Sequence, residues 1–200
     1  WDRDGVVSVE FHRKTLGIIG LGRIGSRLAR QAAGFEMLVL VYDPYATDDA
    51  IEAAGATRTE LGDLLTRSDF ISLHVPLTEE TREIIGTPEL NQMKSSAFIV
   101  NTARGELIDE TALHSALVEG QIAGAGLDVF HEEPPADDHP LLQLDNVICS
   151  PHVAGQTAEA LVRTSLASAE NILRVFRGEE PDILVNKEVL TNRSRINWKL

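Results

Sequence analysis

Short apolar runs alternate with helical patterns along most of the chain. Segments with helical spacing are Ile24–Ala33, Asp48–Ala54, Leu61–Arg67, Pro88–Met93 and Thr111–Glu119. Most of the apolar runs lack polar alternation, which is typical of strands that helices cover on both faces. This alternation predicts an α/β fold with a doubly wound parallel sheet. The six predicted strands are Thr15–Ile19, Met37–Tyr42, Phe70–Val75, Ala97–Asn101, Ala123–Asp128 and Val147–Cys149.

The strongest helical pattern is the last one, from Ala158 to Phe176. Its apolar residues recur at helical spacing, and Gly178 stands where a glycine commonly ends a helix. The sequence after Glu179 has no clear period and predicts a loosely held tail. We therefore divide the chain into a main domain, residues 1–155, and a C-terminal helix with its tail, residues 156–200.

Charge and composition exclude several kinds of partner. The 200 residues are 43% hydrophobic and 24% charged, as in ordinary globular chains, but 18 Lys and Arg against 31 Asp and Glu leave a net charge of −13. An acidic surface repels phosphate backbones and anionic lipids, so we expect neither nucleic acid nor membrane as a partner. The lone cysteine, Cys149, fits a reducing compartment such as the cytoplasm. We expect it to be an inert buried thiol.

A glycine-rich turn, Gly20-Leu21-Gly22-Arg23-Ile24-Gly25, follows the first predicted strand. Gly20 would allow the tight turn, Gly22 would let the backbone approach a pyrophosphate, and Gly25 would let helix and strand pack closely. The helix N-terminus offers unpaired N–H groups to a diphosphate, and Arg23 adds local positive charge. Asp43 ends the next strand, where its carboxylate would accept hydrogen bonds from ribose hydroxyls and repel a 2′-phosphate. The turn predicts an NAD site, with preference over NADP; the alternative is a glycine-rich turn beside a solvated aspartate.

Three charged side chains follow the ends of three later predicted strands: Arg104, Glu133 and His152. In an open parallel sheet these ends face the crevice that also receives the glycine-rich turn. A guanidinium can bind the carboxylate and carbonyl of a 2-oxo acid, and histidine donates protons near neutral pH. A carboxylate on the far ring nitrogen would hold the tautomer and favour the imidazolium. The three groups predict reduction of a 2-oxo acid, with a nicotinamide carrying the hydride.

Several stretches together resemble the D-isomer-specific 2-hydroxyacid dehydrogenase family, which includes phosphoglycerate dehydrogenase. They occur in the family's order and cover its nucleotide-binding half almost end to end: Leu16–Arg27, His74–Thr78, Asn101–Gly105, Gly124–Pro134 and Asn146–Gly155. The resemblance implies a Rossmann-type NAD-binding domain over residues 1–155. It also implies an NAD-dependent enzyme that interconverts a D-2-hydroxy acid and its 2-oxo acid.

The resemblance further implies the role of each site residue. Arg104 would bind the substrate, His152 would be the acid and base, and Glu133 would pair with His152. The cofactor contacts that it implies are Arg23, Ile24, Asp43, Val75, Pro76, Thr102, Ala103, Asp128 and Gly155.

The N-terminus departs from the family's pattern. Family members begin with a substrate domain of about 100 residues, a usual size for a domain. Trp1-Asp2-Arg3 resembles the exit from the interdomain helix, so we expect the substrate domain to be largely absent from this chain. The C-terminal helix and tail would return to that absent domain. The chain alone is therefore expected to bind NAD but to convert substrate poorly or not at all. Members of the family usually form dimers, so the resemblance also implies a homodimer.

Each candidate catalytic residue also has a plainer interpretation. Arg104 could pair with Glu106 on the surface, Glu133 could be an exposed loop acid, and His152 could be a structural histidine. Glu132 competes with Glu133 for the same role.

Two other classes of protein stay open at this stage. One is an NAD-sensing corepressor with the same fold, and the other is a nucleotide-binding domain without chemistry. No residues have the spacing of metal ligands, and we interpret His131 and His139 as part of a solvated loop.

Overall fold

The computed structural model describes residues 8–189. Within them, seven parallel strands form one sheet in the order β3-β2-β1-β4-β5-β6-β7. The strands are β1 (Thr15–Ile19), β2 (Leu38–Tyr42), β3 (Thr57–Arg58), β4 (Phe70–Leu73), β5 (Phe98–Asn101), β6 (Gly124–Leu127) and β7 (Val147–Cys149). The helices are α1 (Gly25–Ala33), α2 (Asp48–Ala53), α3 (Leu61–Arg67), α4 (Thr87–Leu90), α5 (Glu110–Val118) and α6 (Ala158–Phe176).

The predicted doubly wound α/β fold is confirmed, and all six predicted strands are present. β1 and β7 have the predicted ends, and the other four are shorter than predicted at one or both ends. The sequence analysis missed β3, a pair of exposed residues, Thr57 and Arg58. Two residues are too few to produce a hydrophobic pattern.

The strand order reverses beside β1, and this reversal places the candidate site. β2 and β3 lie on one side of β1, whereas β4 to β7 extend on the other side. In open α/β sheets, ligands bind at the carboxyl ends of the strands where the order reverses. The first residue after β4, His74, donates its backbone N–H to Ile19 O at 2.7 Å. The loops after β1 and β4 therefore begin side by side.

Successive residues of a strand face opposite sides of the sheet, and each side has its own core. Ile18 and Val41 belong to one cluster of buried residues, and Ile19 and Leu73 belong to the other. The burial expected on both faces fails at the edge strand β7, where Ile148 is 79% exposed. Cys149 is exposed as well, so its expected burial is wrong.

The chain divides into two compact units, Trp1–Ala154 and Gly155–Leu200. In the second unit, α6 has the predicted ends, and the Thr157 side chain accepts a hydrogen bond from the Ala160 N–H. Gly178 has the positive φ of a C-terminal cap, +74°. Much of the tail expected to be loosely held, residues 190–200, lies outside the described residues. No helix within residues 8–189 is long and apolar enough to cross a membrane.

Candidate active site

The glycines of the turn after β1 each meet a different spatial demand. Gly20 has φ +95°, and a Cβ there would lie 2.9 Å from both the Val75 nitrogen and the His74 carbonyl carbon. A Cβ on Gly25 would lie 2.2 Å from the Gly20 carbonyl oxygen, whereas one on Gly22 would meet nothing within 4 Å. Gly20 and Gly25 are thus required by the fold. Gly22 leaves open space in front of the backbone.

That open space is the mouth of a cleft of about 340 Å³, lined by Gly22, Arg23, Ile24, Arg27 and His74. The N–H groups of Gly22, Arg23 and Ile24 donate to no protein acceptor within residues 8–189. Two arginines and three unpaired N–H groups at the start of α1 suit the diphosphate of a dinucleotide. Burial lowers the pKa of His74, which is hydrogen-bonded to the Ser72 hydroxyl at 2.9 Å, so its ring stays neutral at physiological pH.

Asp43 lies directly after β2, on the opposite side of the turn from β4. Its carboxylate accepts hydrogen bonds from the N–H groups of Leu21 at 2.7 Å, Tyr45 at 2.8 Å and Ala46 at 3.0 Å. A carboxylate offers about four acceptor positions, so one remains for a ribose hydroxyl. Arg58 in β3 donates to the Asp43 carbonyl at 2.9 Å and holds the same loop. The sequence analysis missed this positioning role, because β3 carries no pattern.

At the other end of the sheet, the ends of β5, β6 and β7 are joined by backbone hydrogen bonds. The Asp128 N–H donates to Asn101 O at 3.0 Å, and the His152 N–H donates to Asp128 O at 2.8 Å. The residues that follow these strands, among them Arg104, Glu133 and His152, therefore belong to neighbouring loops at one edge. All three lie in the first compact unit.

Glu133 and His152 are in direct contact. Glu133 Oε2 lies 2.7 Å from His152 Nδ1, and Glu133 Oε1 accepts the Phe130 N–H at 3.1 Å. The hydrogen bond from His152, followed by the one from Phe130, holds the pKa of Glu133 below its ordinary value. The carboxylate is therefore ionised at neutral pH and holds the proton of His152 on Nδ1. Glu132 makes no such contact.

Asp128 sets the backbone that carries His152. Its buried carboxylate accepts hydrogen bonds from the Ser150 hydroxyl at 2.5 Å and from the N–H groups of Val153 and Ala154, each at 2.8 Å. Burial raises the pKa of Asp128, but these hydrogen bonds outweigh it and bring the pKa below the ordinary value. His152 has φ +54°, in the left-handed region that non-glycine residues rarely adopt. Asp128 thus holds His152 in a strained conformation, a role different from the cofactor contact that the resemblance implies.

Arg104 follows β5 and leaves its charge available. The buried Asn101 side chain accepts the Ala103 N–H at 3.0 Å and donates to Arg104 O at 2.7 Å, so it fixes the turn from both ends. The exposed Arg104 guanidinium pairs with no carboxylate within residues 8–189, Glu106 included, and donates to Ala103 O at 2.5 Å. Gly105 packs on the Phe130 backbone, where a Cβ would lie 2.1 Å from the carbonyl carbon. This packing connects the Arg104 turn to the loop that carries Glu133.

A cavity of about 500 Å³ opens beside the Glu133–His152 pair, with Asp128, Phe130 and Leu142 in its wall. Cys149 also lines this cavity, where partial burial raises the pKa of its thiol although the residue as a whole is exposed. A raised pKa keeps the thiol protonated at neutral pH, which agrees with the expected inertness although the residue is less buried than expected.

The remaining predicted cofactor contacts lie at the same edge of the sheet, with one exception. Val75 packs against Gly20, Pro76 is exposed, and Thr102 and Ala103 form the turn that Asn101 holds. Gly155 is exposed and begins the second unit, so its contact with the cofactor stays a prediction.

The histidines of the supposed solvated loop have specific partners. His139, with a side chain 19% exposed, lies 3.3 Å from Glu110, and the His131 ring lies 2.8 Å from Ile108 O. The interpretation of a solvated loop is therefore wrong for His139, whereas His131 is exposed as expected, although its ring contacts Ile108 O. No group of three or more His, Cys, Asp or Glu within the described residues is arranged to hold a metal ion.

The strand order, the glycine-rich turn and the acid after β2 define a Rossmann-type dinucleotide-binding domain. Residues 1–154 match the family model described as D-isomer specific 2-hydroxyacid dehydrogenase, NAD binding domain. The chain belongs to this family, and the matched residues are its NAD-binding domain.

Individual relatives agree with this assignment. Over 193 residues the chain is 47% identical to a glyoxylate reductase of Korarchaeum cryptofilum, covering 96% of this chain and 58% of that protein. Over 187 residues it is 49% identical to a D-3-phosphoglycerate dehydrogenase of Methanocaldococcus jannaschii, covering 93% of this chain and 36% of that protein. A crystal structure of D-lactate dehydrogenase with NAD+ from Lactobacillus jensenii matches with a TM-score of 0.84 and 33% identity, over 94% of this chain and 60% of that one. The chain thus spans between about a third and three fifths of these relatives.

Proposed function

We propose that the protein is an NAD-dependent oxidoreductase that interconverts a D-2-hydroxy acid and its 2-oxo acid. The observation that carries this proposal is the contact of 2.7 Å between Glu133 Oε2 and His152 Nδ1, at the sheet edge that also carries the NAD turn. Relatives named for glyoxylate, lactate and phosphoglycerate share the 2-oxo or 2-hydroxy acid as reacting group and support this substrate class.

Each residue has a part that follows from its position. The reduced cofactor, NADH, would supply the hydride for reduction, and NAD+ would accept it in oxidation. The Arg104 guanidinium pairs with no carboxylate of residues 8–189, and it can bind the substrate carboxylate with two parallel hydrogen bonds. His152 donates a proton from Nε2 to the carbonyl oxygen during reduction and removes it during oxidation. Glu133 stabilises the imidazolium that exists when His152 holds both protons.

The cofactor would be held by the loops described above. Gly20, Gly22, Arg23, Ile24 and Gly25 would hold the diphosphate, and Asp43 would hold a ribose and disfavour the 2′-phosphate of NADP. We also propose that the cofactor is contacted by residues of the other loops: Val75, Pro76, Thr102, Ala103, Asp128 and Gly155. The proposal further includes a homodimer that is located in the cytoplasm.

The test is steady-state NADH oxidation by the whole protein with a panel of 2-oxo acids, glyoxylate, pyruvate and hydroxypyruvate among them. We expect His152→Ala to lower kcat about 10²- to 10⁴-fold, the range that general acid–base catalysis contributes. His114→Gln, which changes a histidine of α5 without a predicted role, is the matched control. Full activity of His152→Ala would contradict the mechanism. If no 2-oxo acid supports turnover while NAD still binds, the corepressor alternative gains the advantage.

A further inference from the structure

The loop that carries Glu133 is attached at both ends to the beginning of α5. At its start, the His131 N–H donates to Glu110 Oε1 at 2.9 Å. At its end, His139 Nε2 lies 3.3 Å from Glu110 Oε2. One carboxylate therefore holds two points of the loop on either side of Glu133, and its own side chain is only 19% exposed.

The hydrogen bonds around His139 leave one arrangement of protons. The Leu141 N–H points to His139 Nδ1 at 3.3 Å, so Nδ1 is the acceptor and Nε2 carries the proton. That proton is donated to Glu110 Oε2. The Phe130 ring packs edge-on against the His139 ring, with centroids 5.4 Å apart. The position of Phe130 is thereby tied to the same pair.

Phe130 connects this pair to the candidate catalytic residues. The consecutive N–H groups of Phe130 and His131 donate to the carboxylates of Glu133 and Glu110 respectively. A displacement of this short stretch would move both hydrogen bonds at once. Gly105 packs on the Phe130 backbone, so the Arg104 turn would be displaced with it.

Glu110 is not needed to begin its own helix. Asp109 accepts the N–H groups of Thr111 and Ala112 at 2.9 and 3.0 Å and so caps α5. The carboxylate of Glu110 is used across the fold, on a loop more than twenty residues further along the chain.

We propose that Glu110, together with His139, is the positioning residue that holds the Glu133 loop in the geometry in which Glu133 meets His152. This inference rests on the proposed function, in which that pair performs the proton transfer. Glu110 would act through the loop and would touch neither substrate nor cofactor.

The test compares Glu110→Gln and Glu110→Ala with Asp138→Asn, which removes one negative charge from the same loop. A glutamine has one oxygen, so it can accept from His131 or from His139 but not from both; alanine accepts from neither. On the 200-residue chain, we expect amide hydrogen exchange at Phe130 to quicken at least tenfold. We also expect the pKa of Glu133, followed by carboxyl ¹³C shifts, to rise towards its ordinary value. The NAD dissociation constant serves as the measure of folding and should stay unchanged.

In the whole protein, we expect kcat to fall about 10- to 100-fold in Glu110→Ala, because misplacement of a reacting group by about 1 Å costs that much. The KM for NADH should not change. The kcat of Glu110→Gln should lie between that of Glu110→Ala and that of the parent. If Glu110→Ala does not fold, Glu110→Gln carries the test, since it keeps the shape of the side chain. Parental exchange at Phe130, Glu133 pKa and kcat in Glu110→Gln would overturn the proposal.

Failure of this inference differs from failure of the proposed function. Exchange and titration report the loop of the chain without any turnover, so they decide the role of Glu110 even where no substrate is known. An unchanged rate in His152→Ala would instead remove the proposed function, whatever Glu110 does.

Discussion

The two ends of the sheet's carboxyl edge are built in different ways. The NAD turn after β1 depends on backbone that lies close in sequence: Gly20 and Gly25 face each other across a few residues. The Glu133–His152 region depends on side chains that are distant in sequence, since Asp128 reaches Val153 and Ala154 and Glu110 reaches His139. Substitutions that add a side chain should therefore disturb the NAD turn, and substitutions that remove a charged side chain should disturb the Glu133–His152 region.

The largest effect on stability is expected from Asp128→Asn. An asparagine presents an NH₂ group where three donors now converge, so at least one partly buried donor loses its acceptor. We expect a loss of about 2 to 4 kcal/mol in the free energy of unfolding at neutral pH, since hydrogen bonds to a charged group and unsatisfied buried donors are each worth about 1 to 3 kcal/mol. Urea denaturation of the chain measures it.

The pH dependence of this loss follows from the lowered pKa of Asp128. The native carboxyl ionises more readily than the unfolded one, so its contribution is complete above the ordinary value of 3.8 and disappears as the pH falls through the lower native value. The gap between parent and variant should therefore narrow below pH 3.8. Asp145→Asn, an exposed acid just before β7, is the control. If Asp128→Asn loses the same free energy of unfolding at neutral pH and below pH 3.8, packing and not charge explains the effect.

The next effect separates two glycines of one turn. Gly25→Ala places a Cβ 2.2 Å from the Gly20 carbonyl oxygen, so we expect about 1 to 3 kcal/mol of destabilisation from overpacking and more than tenfold weaker NAD binding. Gly22→Ala meets nothing within 4 Å, so stability should stay within about 0.5 kcal/mol of the parent while NAD binding still weakens. Thermal unfolding and NAD titration distinguish them. Parental NAD affinity in Gly22→Ala would mean that the diphosphate does not approach this backbone.

The same contrast explains how much could be predicted from sequence. Six of the seven strands, the glycine turn and the position of Asp43 were predictable because each lies in a local pattern. Glu133 was selected over Glu132 only by its offset of five residues from Asp128, because nothing else local distinguishes two adjacent acids in a loop. The partners of Asp128 and the Glu110–His139 contact could not be predicted, since they form between segments that only the tertiary fold brings together. One signal was His139 in the loop after Glu133, which we interpreted as part of a solvated loop although it is partly buried.

The burial of β7 and of its last residue, Cys149, was predicted wrongly for a related physical reason. The apolar run Val147–Cys149 fits a buried strand, but a sequence pattern does not show which strand lies at the edge of a sheet. β7 lies at the edge of the sheet and pairs with β6, and its Ile148 side chain projects from a face of the sheet where it is 79% exposed.

The smallest effect is expected at Asp43. This residue is an exception to the contrast between the two regions, because its side chain supports the NAD turn, which otherwise depends on backbone contacts. Its three N–H partners resemble those of Asp128, but the carboxylate is only half-buried and keeps an acceptor position for a ribose. We expect Asp43→Ala to weaken NAD binding about tenfold, or about 1.4 kcal/mol, with little change for NADP. Asp43→Asn keeps the shape of the side chain and removes its charge, so the difference between the affinities for NAD and NADP should become smaller in this variant as well.

Isothermal titration of the chain with both cofactors measures these affinities, and tighter binding of NADP than of NAD by the unchanged chain would refute the role of the carboxylate. Because Asp43 also holds Leu21, a loss far above tenfold would mean that the turn itself had moved, and the site would then depend on side chains at both ends of the sheet.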